Sequence, residues 1–153
     1  MSTANSSPDL TQRPPRSPRV RLGGYVLLPR ILDKGRAALA DKLGEYHYAG
    51  KGMDRHFFNF VGVGHEALKD EMAKGGGDGD LLAWINANAK TPRQPWEIAA
   101  WSSYHENRTP DSDAETIGEF ASMVAQLSAT REDIRTWFDL LDLDDHCAFG
   151  GRA

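Results

Sequence analysis

Cysteine is almost missing from these 153 residues: Cys147 stands alone, so no disulfide can close within the chain. That fits a reducing compartment, and a cytoplasmic protein is the expectation. No apolar run approaches the ~18 residues that a membrane-spanning helix needs, and the N-terminus has no apolar core of signal-peptide length. The expectation is therefore no membrane. The five histidines match no ligand spacing such as HExxH, so neither a metal nor a cofactor is expected. Gly75-Gly76-Gly77 lacks the P-loop pattern and follows no apolar strand, so it reads as a linker. A net charge of −4 gives no overall reason to expect nucleic acid. No alternating run is long enough for a firm strand; Val20 to Leu28 comes nearest, but its glycines and Pro29 argue against one.

What remains is a helical sequence of ordinary globular balance, long enough to bury a core without disulfides or metal. Residues 1–16 are polar and rich in serine and proline and read as a flexible tail. Residues 17–147 read as one all-α domain of six or seven helices, and 148–153 as a frayed end. Pro29 opens the first full helix, to about Leu43, with Ile31, Leu32, Ala38, Leu39 and Leu43 facing inward and Arg30 and Lys34 on an exposed side. Gly44 stops it. Further helices are expected from Asp54 to Phe60, from His65 to Lys74, up to about Asn88, from Pro95, and from about Ser112 to Ser128. A capping box at Thr130 to Asp133 predicts a last one to about Leu141.

Four stretches carry a resemblance: LGGYVLLPRILDKGRA (22–37), GEYHY (44–48), DRHFFNFVGV (54–63) and LLAWINANAK (81–90). From about residue 17 to residue 101 the chain resembles a bacterial family catalogued as domain of unknown function 5069. Members typically carry a Cys-Pro-Leu-like loop after GEYHY, where this chain has Gly50-Lys51-Gly52-Met53. The resemblance implies a compact bacterial domain and no particular activity. The segment after Trp101 reads as an extension outside it.

Charge points to a site. Residues 1–56 carry a net +5 and residues 57–153 a net −9. Either the two halves pack together or the first half holds an anion. For a small anionic ligand, Arg30, Lys34, Arg36 and Arg55 would supply charge, and Tyr25, Tyr46 and Tyr48 flat walls and hydroxyls. On the competing reading Asp33, Asp41, Glu45 and Asp54 neutralise these cations and the tyrosines are core. Glu45 and His47 share one face of an extended segment and form a candidate acid–base pair; whether the protein is an enzyme stays open. The alternative function is a protein–protein module using the acidic C-terminal helices, net −7 from residue 109 on, with Trp96 as an anchor.

Overall fold

The computed structural model describes residues 7–153, and among them the regular structure is seven helices with no strand. They are α1 (Leu28–Leu39), α2 (Asp54–Val61), α3 (His65–Met72), α4 (Asp78–Asn88), α5 (Pro95–Asn107), α6 (Ala114–Leu127) and α7 (Trp137–Ala148). None is long and apolar enough to cross a membrane. The strand-like residues before α1 form only an isolated bridge between Leu22 and Tyr25, folded over Gly23-Gly24. Ser102 of α5 pins this turn: its hydroxyl donates to the Gly24 carbonyl at 2.6 Å and accepts from the Val26 N–H at 3.1 Å.

Helix α1 is the centre of the fold. Leu28, Ile31, Leu32 and Ala37 have no exposed surface, and Pro29 occupies the first turn, where its missing N–H costs nothing. Gly35 lets α3 close in, because a Cβ there would run into the Met72 side chain. Around α1 gather Tyr25, Phe57, Phe58, Leu68, Leu81, Ile85 and Phe138 as one apolar cluster. Burial of each large side chain contributes roughly 1.5–3 kcal/mol.

Three boundaries differ from the sequence expectation. Helix α1 ends at Leu39, which is 45% exposed, and not at Leu43. The chain turns at Asp41 (φ +54), and the Lys42 N–H returns to the Ala37 carbonyl at 2.8 Å. Gly44 (φ +58) is therefore not the helix stop; it allows a close crossing, since a Cβ there would meet the Leu10 carbonyl at 2.9 Å. That crossing corrects the tail as well. From residue 7 the segment packs on the domain: Leu10 is buried and its N–H donates to the Lys42 carbonyl at 2.9 Å. Arg16 binds Asp33 at 3.0 Å and Asp78 at 2.7 Å. Residues 1–6 lie outside the described residues.

The last helix is displaced by about two turns. Ser128 accepts the Thr130 and Arg131 N–H groups at 3.2 and 3.1 Å, which bends the chain where a helix start was expected. The capping box is Thr136 with Asp139: each side chain accepts the other's N–H at 3.0 Å. Helix α7 then runs to Ala148, past the expected end near Leu141, and buries Leu140, Leu143 and Asp145.

Candidate functional site

Arg30, Lys34 and Ala38 recur every four residues along one stripe of α1, with Leu27 just before its start. This stripe floors an open cleft of about 770 Å³. The loop from Leu43 to Met53 makes one wall. Its others come from His65, Glu66 and Lys69 of α3 and from Leu141 and Asp144 of α7. The two cations expected on an exposed helix side are buried: Arg30 is 4% exposed and Lys34 8%.

Each floor cation has its own carboxylate. The Arg30 guanidinium meets Asp145 through two bonds, 2.7 and 3.2 Å, and Asp145 is itself buried. The Tyr46 hydroxyl donates to the same carboxylate at 2.8 Å, and its ring lies 5.6 Å from the guanidinium. Burial and Asp145 push the Tyr46 hydroxyl up, so it stays a donor at physiological pH. One turn along α1, Lys34 Nζ meets both oxygens of Asp54 at 2.8 and 2.7 Å. Asp54 also accepts the Ala49 N–H at 3.0 Å and so ties the loop to the helix floor. Tyr48 donates to the His65 carbonyl at 2.6 Å and stands edge-on to Phe58, bracing the far wall.

Of the residues singled out in the sequence, Arg30, Lys34, Glu45, Tyr46, His47 and Tyr48 come together in this cleft. The other three do not. Tyr25 is core, edge-on to Phe57 at 5.2 Å. Arg36 leaves the cleft to bind Asp78 at 2.8 Å. Arg55 is exposed on α2 and does not line the cleft. Asp33 pairs with Arg16 and not with Arg30. Glu45 and His47 are exposed at the mouth, and no hydrogen bond or ion pair joins them among the described residues. The loop turns at Gly44 and Glu45 instead of running extended, which removes the shared face on which their pairing rested.

Sequence reading missed Asp144 and Asp145, placed by α7, and the mouth lysines Lys51 and Lys69. A signal was present for Asp145. Asp139, Asp142 and Asp145 recur every third residue, and they meet Arg19 and Arg30 from the basic half. With Arg16 and Arg36 on Asp78 and Arg21 on Glu106, the two charged halves are joined by ion pairs.

The histidines divide. His47 and His65 line the cleft, while His56 and His105 lie against each other elsewhere, rings 5.0 Å apart and tilted by 33°, beside Trp101 and Arg108. No group of three or more metal-ligating side chains occurs among the described residues. His105 is buried with Nδ1 unpartnered. Burial, then His56 and Arg108, push its pKa down to about 4. The folded state thus holds His105 neutral while the unfolded chain protonates it near 6.5. Stability supplied by the neutral ring is present above pH 6.5 and is lost as pH falls toward 4. Melting temperature should decline over that window, and His105→Phe should flatten the decline; an unchanged slope in the variant would assign the acid sensitivity elsewhere.

The family model described as Domain of unknown function (DUF5069) matches residues 12–147. The match runs well past Trp101, so α6 and α7 belong to the family's domain and are not an extension to it. No curated protein matches the chain. The chain belongs to the DUF5069 family.

Proposed function

We propose that this DUF5069 member binds a small, negatively charged metabolite in the cleft floored by α1. One observation carries the reading: Arg30, Lys34, Tyr46, His47 and Tyr48 border a single cavity whose floor is fixed by buried ion pairs and whose mouth holds Lys51 and His47, neither of them hydrogen-bonded or ion-paired among the described residues. Arg30 and Lys34 are held in one geometry before any ligand arrives, which lowers the ordering cost of binding. Charge for the ligand comes from Lys51 at the mouth, since Lys69 is paired with Glu66 at 3.4 Å. A bacterial, cytoplasmic setting is part of the same reading and is supported by the lone Cys147.

A thermal-shift screen of phosphorylated and carboxylated metabolites tests this. A ligand at one hundred times its dissociation constant adds ~2.7 kcal/mol to the native state. Lys51→Ala should weaken that gain and leave the unliganded melting temperature unchanged. No stabilisation by any anion in the panel would contradict the reading.

A second reading has its own observation. Trp96 and Tyr104, 72% and 62% exposed, lie eight residues apart on the outer side of α5, and Ile117 on α6 is half exposed. Exposed aromatics of this kind favour a protein partner, which would leave the cleft without a role in recognition.

A further inference from the structure

Lys34 is the one lysine of six that the fold buries, and it is buried at the floor of the cleft. Its ammonium has one carboxylate partner, Asp54, at 2.7–2.8 Å, and that carboxylate is also fixed by the Ala49 N–H. Arg30 lies one turn earlier on the same stripe, immobilised by Asp145. A desolvated lysine beside a second fixed cation is poised to give up its proton, which is how amine nucleophiles are made at neutral pH. Here burial first, and Arg30 as well, push Lys34 down from its ordinary value against the pull of Asp54. A surface ion pair would have neither feature, and a purely structural pair would not need to border the cleft.

We propose that Lys34 is an amine nucleophile that forms an imine with the carbonyl carbon of a small oxo acid bound in the cleft, with Asp54 carrying the protons. This rests on the cleft as an anion-binding site and names the ligand's reactive group. The ammonium first passes a proton to Asp54. The free amine attacks the carbonyl carbon: a C–N bond forms and the C=O π pair moves to oxygen. Asp54 returns its proton to that oxygen and takes one from nitrogen, leaving a neutral carbinolamine. It then protonates the hydroxyl, the C–O bond breaks, and water leaves as the nitrogen lone pair closes the C=N bond. The protonated imine holds the positive charge that the ammonium held, and Asp54 is again a carboxylate beside it. One carbonyl compound is consumed and one water released, with no change of oxidation state.

Reductive trapping tests the proposal on the full chain without any variant. Glyoxylate, pyruvate and uncharged propionaldehyde are each incubated with the protein and sodium cyanoborohydride, and peptide mass spectrometry follows labelling at every lysine with time. Lys34 should be labelled by glyoxylate or pyruvate at least about tenfold faster than the mean of Lys42, Lys51, Lys69, Lys74 and Lys90, as an activated amine requires. That preference should vanish in urea. Labelling of Lys34 no faster than the others by all three probes overturns the proposal. If oxalate, an anion without a reactive carbonyl, still shifts amide resonances of the cleft in that case, the anion site stands without the imine. Selective labelling by propionaldehyde alone supports the nucleophile and removes the anionic ligand.

Discussion

Asp145→Ala is expected to destabilise the fold by about 3–5 kcal/mol, the usual result of leaving one partner of a buried ion pair without the other. Arg30, 4% exposed, would lose the carboxylate that it hydrogen-bonds, and the Tyr46 hydroxyl would lose its acceptor. Chemical denaturation reads the loss directly. The double variant Arg30→Met/Asp145→Leu should recover most of it, because removing both charges removes the cost of desolvating them. Arg19–Asp142 provides the contrast: that pair is about two-fifths exposed on each side, and Asp142→Ala should cost no more than about 1 kcal/mol. Equal losses from Asp145→Ala and Asp142→Ala would mean that water reaches Arg30 freely.

Asp54→Ala should cost about 3 kcal/mol, the low end of the same range. Lys34 has an exit that Arg30 lacks: it can shed its proton, and burial already favours the neutral amine. The sign of the pH dependence follows. In the variant the folded Lys34 pKa lies further below the unfolded value near 10.4, so the unfolded chain binds more protons in between. Stability of the variant should therefore rise, relative to wild type, as pH increases toward 10. The same substitution frees the Ala49 N–H, so amide exchange across residues 45–53 should accelerate. A loss that ignores pH, with the loop still protected, would mean that Asp54 serves only as packing.

Much of this was legible in the sequence where local rules decide. Pro29 and Pro95 mark the starts of α1 and α5 because a first-turn proline needs no N–H. The cleft segment from Tyr46 to Tyr48 was legible as composition: three polar aromatic residues next to a helix end. Partner choice was not. Whether Arg30 takes Asp33, three residues on, or Asp145, on another helix, depends on tertiary packing that no local pattern encodes. Burial of α7 follows the same logic, since Asp139 and Asp145 are satisfied by Arg19 and Arg30. Thr130 looked like a helix cap for want of one contact: Ser128 turns the chain first.

A carbonyl-bearing anion such as glyoxylate would meet the same floor that an unreactive one meets, so binding can be read before chemistry. Amide NMR of the labelled full chain, titrated with the carboxylated and phosphorylated panel, is the most direct measurement of the central claim. Shifts should concentrate in residues 45–53, at His65 to Lys69 and along the Arg30 to Lys34 stripe, and should shrink in Lys51→Ala. Shifts confined to α5 around Trp96 and Tyr104, or none in the cleft across the whole panel, would contradict it.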